Sequence, residues 1–313
     1  MNIDLIRVPI FYGCDRKGAE LGPDAIFNNN IMNVFQKYGN EINDAGCVHV
    51  CDVCEKDKHH DHPKMKYLGP IVDANVELAS MVSNSIKNGR VPLTLGGDHC
   101  IGLGTLAGVS DANKGETAVI WIDAHADINT VDTSPSGNIH GMPLGASIGV
   151  GDKSLTDLYI KKRKVNPNNV FLVGLRDVDD GEVEIIDDYE LNAWYMEEIK
   201  DKGMGIVILE LLDMLKKKKI ENIHISYDID SLDMTLVPGT GTPVSDGMFP
   251  DESKKLLRAL FRTGLVRSVD FVEYNPAKDK NNITKNTVMD MLETFAQEMG
   301  KAGVMQDLNK VAI

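Results

Sequence analysis

The sequence predicts an α/β fold in which helices cover both faces of a mostly parallel β-sheet. Two observations lead to this prediction. Short apolar runs rich in branched residues alternate along the chain with segments whose apolar residues recur at helical spacing, which is the pattern of a parallel sheet with crossover helices. Acidic and histidine side chains follow directly after several of those runs, and such folds bind ligands at the carboxyl ends of their strands.

Seven apolar runs of strand length are predicted to form the sheet. Each is rich in Val, Ile, Leu or aromatic residues and is bounded by polar residues, glycine or proline, as "AVIWI" and "IHISY" illustrate. Such continuous apolar runs are typical of strands that are buried on both faces. They lie at residues 3–10, 48–53, 91–95, 118–122, 170–173, 223–227 and 266–272.

Seven segments with helical periodicity are predicted to connect and cover these strands. Lysine clusters at residues 161–164 and 216–219 are expected to close two of the helices, because cations suit the negative end of a helix dipole. We find no convincing linker or repeat, and therefore expect one domain spanning residues 1–313. The predicted helices lie at residues 23–37, 72–88, 102–109, 154–164, 206–218, 252–263 and 285–299.

Charge and composition narrow the class of partner. The net charge of -14 and the pI of about 5.0 do not favour binding to nucleic acid or to an anionic membrane. No segment has the length of a transmembrane helix, and the N-terminus lacks the features of a signal peptide. The five cysteines are scattered and odd in number, which argues against a disulfide framework and favours the cytoplasm.

Acidic and imidazole side chains gather after four of the predicted strands. In "WIDAHADINT" such side chains alternate along the chain, and alternate residues of a strand point to the same face. Unpaired buried carboxylates are costly, and no lysine or arginine within these motifs would neutralise them, whereas bound cations would. The residues concerned are Asp98 and His99, then Asp123, His125 and Asp127, then Asp228, Asp230 and Asp233, and finally Asp270 and Glu273.

The donor types indicate a binuclear metal site. An oxygen-rich set with two imidazoles and no thiolate suits Mn²⁺ better than Zn²⁺. Four carboxylates suit two ions better than one, and bridging carboxylates would hold the ions roughly 3.5–4 Å apart, as in two-metal hydrolases. The residues alone therefore predict a binuclear hydrolase. Its proposed ligands are His99, Asp123, His125, Asp127, Asp228 and Asp230.

Seven motifs in register resemble the ureohydrolase family, and most closely the arginases within it. They span nearly the whole chain: "GGDH", "DAHADINT", "SGNIHGMP", "GLRDVDDGE", "SYDIDSLD", "GTGTPV" and "VEYNP". The resemblance implies a three-layer α/β/α sandwich, two Mn²⁺ ions per subunit bridged by Asp123 and Asp228, and a homo-oligomer, either a trimer or a hexamer. It also implies hydrolysis of a guanidinium group to urea and an amine.

Further roles follow from the chemistry of that reaction. Asp127 is expected to steer the attacking hydroxide, and Glu273 to pair with the cationic guanidinium. His140, in "GNIHG", is the candidate that gives a proton to the leaving amine, although alone it would be interpreted as a loop histidine. Thr242, in "GTGTP", could position the attacked group.

Selectivity for L-arginine requires donors for its α-carboxylate and acids for its α-ammonium group. Asn129, Ser134, Ser136 and Asn138 are the candidate donors, and Asp179 and Glu182 are the candidate acids. The serine-rich loop could instead be a flexible turn, and the two acids could be solvated. The alternatives for function are therefore a ureohydrolase for agmatine or another guanidino acid, and an inactive metal-binding member that acts as a regulatory subunit.

Some residues depart from the arginase pattern or suggest another site. Asp132, Pro135, Met142 and Met234 lie near the specificity elements and bear on turnover and selectivity. The segment "CDVCEKDKHHDH" has a spacing that loosely resembles a zinc knuckle. We expect it to be the end of a strand followed by a polar loop. Its candidate ligands would be Cys51, Cys54, His59, His60 and His62.

Overall fold

The eight strands that the described part of the chain forms belong to one parallel sheet. The computed structural model describes residues 1–311, with side chains for residues 1–304. The spatial order of the strands is β2-β1-β3-β8-β7-β4-β5-β6. Their bounds are β1 Asn2–Val8, β2 Glu41–Cys47, β3 Val91–Gly96, β4 Thr117–Ile122, β5 Val170–Leu175, β6 Asn192–Tyr195, β7 Asn222–Asp228 and β8 Val266–Val272.

Helices pack against both faces of this sheet, because the central strands are apolar on both sides. Along β4, Ile120 and Ile122 belong to one hydrophobic cluster, whereas Val119 and Trp121 belong to another on the opposite face. The predicted α/β fold around a parallel sheet is confirmed. The helices are α1 Gly22–Phe27, α2 Ile31–Lys37, α3 Leu68–Lys87, α4 Gly102–Ala112, α5 Pro143–Ser147, α6 Lys153–Thr156, α7 Asp180–Asp188, α8 Met196–Lys202, α9 Met204–Lys217, α10 Pro250–Arg262 and α11 Ile283–Val311.

The two edge strands differ from the prediction. The strand expected at residues 48–53 is wrong: β2 precedes it, and Val48 packs its side chain into the core from outside the strand. β2 was missed because an edge strand pairs on one side alone and tolerates the polar sequence "EINDAGC". β6 was missed because it is a short edge strand with one buried residue, Trp194.

Two predicted helices are shorter or broken. The segment 23–37 forms α1 and α2, separated where Asn30 adopts a positive φ of 68°. The segment 154–164 is helical only as far as Thr156, so the lysine cluster at 161–164 does not close a long helix. Instead, the buried Lys164 donates hydrogen bonds to the carbonyl oxygens of Thr156 and Ile160. The lysines at 216–219 do close α9, as predicted, because Lys216 and Lys217 lie in its last turn.

The strand order explains why polar side chains gather at the carboxyl-terminal end of the sheet. β3, β8, β7 and β4 are consecutive neighbours in the sheet, and these are the four strands at whose carboxyl ends acidic and imidazole side chains were predicted. Since all strands are parallel, these ends lie side by side. No helix in the described part of the chain is long and apolar enough to span a lipid bilayer.

Candidate metal centre and active site

Two groups of potential metal ligands meet at the carboxyl-terminal end of the sheet, and they share one residue. Among the side chains of residues 1–304, two sets of three acidic or histidine residues lie close enough to hold a metal ion, and both contain Asp123. The first set adds His99 and Asp127, and the second adds His125 and Asp230. A shared carboxylate is the arrangement that two bridged ions require.

Carboxylate oxygens of the first set, together with one of Asp228, surround a single ring nitrogen. His99 Nδ1 lies 2.9 Å from Asp123 Oδ2, 3.0 Å from Asp127 Oδ2 and 3.3 Å from Asp228 Oδ2. The same nitrogen is buried and makes no well-directed hydrogen bond. Three carboxylates around an unpaired imidazole nitrogen suit a shared cation, because a single N–H could satisfy at most one of them.

The second set has the same character. His125 Nδ1 lies 3.3 Å from Asp123 Oδ1 and 3.5 Å from Asp230 Oδ2, so the two oxygens of Asp123 face different histidines. Asp230 Oδ1 is buried without a hydrogen-bond partner. All six predicted ligands therefore lie together in a donor set that fits two divalent ions.

The charges of this cluster are unbalanced in the protein alone. Burial, together with the charges of Asp230 and Asp123, raises the pKa of Asp228 well above its usual range. Burial and the charge of Asp123 raise the pKa of Asp127 to about 6. Carboxylates whose ionisation is resisted in this way are stabilised when a cation binds between them. The cluster therefore favours a cation-bound state.

Neighbouring side chains hold the ligands in place. His99 Nε2 lies 2.8 Å from Ser226 Oγ on β7, and its ring stacks on Trp121 at a centroid distance of 4.0 Å. Trp121 Nε1 donates a hydrogen bond to Asp123 Oδ2. The second ring nitrogen of a metal-binding histidine usually has such a partner, which fixes the orientation of the ring.

Asp127 sits in a strained backbone position that neighbouring segments fix. Its φ is 54°, a left-handed value that is unfavourable for a residue with a side chain. Its carbonyl oxygen accepts hydrogen bonds from the backbone amides of Leu144 and Gly145 at the start of α5. The surrounding structure thus keeps the Asp127 carboxylate at the cluster.

Glu273 and His140 form a pair beside the cluster. Glu273 Oε1 accepts a hydrogen bond from the backbone amide of His99 at 2.9 Å and lies 3.2 Å from His140 Nδ1. Burial alone would raise the pKa of Glu273, but the interaction with His140 lowers it. The pKa of His140 is correspondingly raised by Glu273 despite burial. Glu273 Oε2 is buried and has no hydrogen-bond partner.

An open pocket leads from the cluster to the solvent, and the predicted substrate-binding residues line it. Its volume is about 590 Å³ including the open mouth. Thr242 lies at its inner end, where its hydroxyl donates a hydrogen bond to Asp230 Oδ2 at 3.0 Å. The lining consists of His125, Asp127, Asn129, Ser134, Pro135, Ser136, Asn138, His140, Gly141, Asp177, Asp179, Glu182 and Thr242.

The two acids of the segment "DVDDGE" differ in their surroundings. Asp179 is exposed, and its Oδ2 accepts a hydrogen bond from Asn129 Nδ2 at 2.9 Å. Glu182 is buried, and its two oxygens accept the backbone amides of Ile128 and Asp179. Burial raises the pKa of Glu182 to about 7. Asp179 is therefore the freer of the two to receive a ligand, whereas Glu182 ties α7 to the loop after β4.

Sequence reasoning missed three residues of the site. Asp177 lines the pocket, with its Oδ2 3.5 Å from His125 Nε2. Ser226 and Trp121 contact His99. Asp177 could have been found from its place in the "GLRDVDDGE" motif. The other two lie inside apolar runs, and nothing in their spacing indicates their partners.

The segment with two cysteines and three histidines lies apart from both candidate metal sets. Neither set within residues 1–304 includes Cys51, Cys54, His59, His60 or His62. The predicted strand end at Cys51 is wrong, since β2 stops at Cys47. The segment is instead a loop, held where the Tyr12 hydroxyl donates to the Cys51 carbonyl oxygen.

The family assignment rests on the match of the whole chain. The sequence model of the Arginase family matches residues 1–297. The chain belongs to the arginase family. It is therefore an arginase-type amidinohydrolase, and its resemblance to the ureohydrolases is confirmed. Members of this family depend on metal ions, in agreement with the two sets of ligands around Asp123.

Relatives and solved structures agree with this assignment along nearly the entire chain. The arginase of Bacillus subtilis (strain 168) is 38% identical over 294 residues, covering 94% of this chain and 97% of the relative. A crystal structure of the Bacillus subtilis arginase superposes with a TM-score of 0.88 at 37% identity, covering 96% and 99%. The Entamoeba histolytica arginase in complex with L-ornithine has a TM-score of 0.86 at 32% identity, covering 96% and 98%.

Proposed function

We propose that the protein is a binuclear manganese hydrolase that converts L-arginine to L-ornithine and urea. The observation that carries this proposal is the pair of ligand sets that share Asp123. Together these two sets offer carboxylate oxygens and two imidazoles, a combination of ligands that suits Mn²⁺. We propose His99, Asp123, Asp127 and Asp228 for one ion, and Asp123, His125, Asp228 and Asp230 for the other. Two ions bound there would lower the pKa of a water molecule and supply a nucleophile at neutral pH.

The guanidinium group of the substrate is proposed to bind at Glu273. Glu273 Oε1 is already engaged by the His99 amide and His140, whereas Oε2 is buried and unpaired. A guanidinium carries several N–H donors and a positive charge, so it can satisfy that oxygen. This pairing would orient the guanidinium carbon toward the ligand cluster. Asp127 would steer the attacking hydroxide, and Thr242 would position the guanidinium group that the hydroxide attacks.

The leaving amine is proposed to receive its proton from His140. Glu273 raises the pKa of His140 and so favours the imidazolium form. His140 lines the pocket but belongs to neither ligand set. A histidine that is protonated, close to the reacting group and free of metal is suited to general acid catalysis.

The outer pocket is proposed to recognise the α-carboxylate and α-ammonium groups of L-arginine. Asn129, Ser134, Ser136 and Asn138 line one part of it and offer donors, and the Asp179 and Glu182 carboxylates line another. Agmatine retains the guanidinium and the distal amine but lacks the carboxylate, so it would leave those donors unpaired. Each unpaired polar group costs about 1–3 kcal/mol, or roughly 5- to 150-fold in affinity, so two such groups would give discrimination of tens to thousands of fold.

Urea release from a substrate panel tests this proposal. The manganese-loaded protein is expected to hydrolyse L-arginine with a higher kcat/KM than agmatine or 4-guanidinobutyrate. An equal or higher kcat/KM with either compound would mean that L-arginine is not the preferred substrate. The protein would then be a ureohydrolase for agmatine or another guanidino acid. Absence of urea from every guanidino compound, with manganese bound, would favour the regulatory-subunit alternative. We place the reaction in the cytoplasm and propose no nucleic-acid or membrane partner.

Replacing Asp179 with alanine is expected to weaken L-arginine binding while both metal ions stay bound. The α-ammonium group would lose its acceptor, and Asn129 would lose its partner. We expect KM for L-arginine to rise roughly 5- to 50-fold with little change in kcat. KM should also rise for agmatine, which keeps the amine. It should stay unchanged for 5-guanidinopentanoate, which lacks the amine. Asp180→Ala is the control, because Asp180 is adjacent in the chain but does not line the pocket. If Asp179→Ala leaves the L-arginine kinetics unchanged, Asp179 is a solvated acid of the loop and does not bind the substrate.

We also expect a homo-oligomer, a trimer or a hexamer. This expectation rests on the family resemblance. Light scattering at low micromolar concentration should give three or six times the chain mass of 34.4 kDa. A monomer mass under those conditions would refute it.

A further inference from the structure

The side-chain amide of Asn138 is held by partners outside its own loop. Its Oδ1 accepts a hydrogen bond from Lys66 Nζ at 2.8 Å, and its Nδ2 donates to the carbonyl oxygen of Cys14 at 3.1 Å. A primary amide has two N–H donors. These two contacts therefore fix which end of the amide is oxygen and which is nitrogen, and they leave one N–H of this pocket-lining residue free.

Lys66 is itself held in place by an acidic partner. Its Nζ lies 3.1 Å from Asp15 Oδ2, and Lys58 Nζ lies 3.2 Å from the same oxygen. Burial alone would raise the pKa of Asp15, but the two lysines lower it. Asp15 directly follows Cys14 in the chain, so the contacts form a closed ring through Asn138, Lys66, Asp15 and Cys14.

The backbone keeps this ring close to the pocket loop. The amide of Lys66 donates to the carbonyl oxygen of Gly137, next to Asn138, at 3.0 Å. Gly137 has a φ of +70°, and a Cβ there would overlap the carbonyl oxygen of Lys64. The segment 64–66 is thus packed directly against the loop that carries Ser136 and Asn138.

We propose that Lys66 is a positioning residue for substrates that carry a carboxylate, and that it acts by fixing the amide orientation of Asn138. With Lys66 in place, Asn138 can present an N–H to an incoming carboxylate. Without it, only the contact with the Cys14 carbonyl oxygen opposes a half-turn of the amide. The rotated amide would present its oxygen, which repels a carboxylate. Lys58 and Lys66 share the carboxylate of Asp15, which therefore offsets the charge of Lys66 only in part. Lys66 Nζ reaches the pocket loop through Asn138 Oδ1, so the orientation of that amide is the contribution that we assign to it. The inference rests on the proposed function, because it concerns the carboxylate of L-arginine.

Steady-state kinetics of Lys66→Met with three substrates tests the inference. L-arginine and 5-guanidinopentanoate carry the carboxylate, and agmatine does not. We expect KM for the first two to rise roughly 5- to 50-fold with kcat within about twofold, and agmatine kinetics to stay unchanged. Lys66→Arg should restore most of the loss. Lys64→Met is the matched control, because Lys64 is an exposed lysine that pairs with the exposed Asp132.

A double-mutant cycle separates positioning from a general structural effect. If Lys66 acts through Asn138, Lys66→Met should have no further effect on KM in an Asn138→Ala background. Additive effects of the two substitutions would overturn the inference, as would an equal response of agmatine and L-arginine to Lys66→Met. An unchanged KM for L-arginine in Lys66→Met would overturn it too.

Failure of the proposed function would look different. It would be visible in the wild-type protein as absence of urea release from L-arginine, before any variant is compared. Calorimetric titration with L-ornithine and putrescine gives the same comparison without turnover, since these ligands differ in the carboxylate. Lys66→Met should weaken L-ornithine binding and leave putrescine binding unchanged; equal changes for the two ligands would overturn the inference.

Discussion

Asp228→Ala is expected to abolish hydrolysis and to remove bound manganese at the same time. Asp228 is buried at the carboxyl end of β7, with its Oδ2 3.3 Å from His99 Nδ1. Its Oδ1 accepts the backbone amide of Asp230 at 2.7 Å, so it also orients the next proposed ligand. A carboxylate that bridges two ions serves both, and its removal should weaken both sites.

Metal analysis and thermal unfolding should be measured together on this variant. At a free ion concentration of 100 times Kd, a bound ion stabilises the folded state by about 2.7 kcal/mol. The wild-type protein should therefore melt at a clearly higher temperature with Mn²⁺ than without it, and Asp228→Ala should lose most of that difference. In the metal-free state the variant should differ little in stability from the wild type, because relief of the repulsion that Asp230 and Asp123 exert on Asp228 offsets the lost hydrogen bond to the Asp230 amide.

Asp270→Asn is the control for the loss of a buried charge. Asp270 lies on the neighbouring strand β8, pairs in register with Ser226, and accepts a hydrogen bond from Thr105 at 2.6 Å. It belongs to neither metal set. Its replacement should lower stability and keep manganese. Two retained ions per chain in Asp228→Ala would contradict the proposed bridging role.

The core of the sheet could be predicted from the sequence because its strands are buried on both sides. The runs at residues 91–95, 118–122, 223–227 and 266–272 each coincide with a central strand. The edges could not be predicted in the same way. β2 is largely exposed and polar, and β6 is short, so their pairing depends on neighbours that the local sequence does not name. The turn at Asn30 and the early end of α6 are likewise set by packing rather than by periodicity.

The residues of the site differ in the same way in how far the sequence predicts their contacts. His99, Asp123 and Asp228 lie at or just after the carboxyl ends of buried strands, and a parallel sheet brings such ends together, so their meeting could be foreseen. The contact between His99 and Ser226 joins residues 127 positions apart, and that between Lys66 and Asn138 joins residues 72 positions apart. No spacing rule relates them, and only the folded chain shows them.

His140→Asn is expected to keep both metal ions and to lower turnover about 10²–10⁴-fold, the usual contribution of a general acid. His140 lies outside both ligand sets, and its backbone amide donates to the Gly13 carbonyl oxygen at 3.2 Å. An asparagine can keep that backbone contact and a hydrogen bond to Glu273, but it cannot release a proton near neutral pH. Because Glu273 would remain to bind the guanidinium, KM should change little.

The decisive measurement is kcat as a function of pH, with manganese content determined on the same samples. His49→Asn replaces an exposed histidine far along the chain from the pocket residues and should leave the profile unchanged. A His140→Asn variant that turns over as fast as the wild type at every pH would exclude His140 from proton transfer. A variant that loses manganese would instead show that His140 supports the ligand cluster, and the proton would then have to reach the leaving amine from another group lining the pocket.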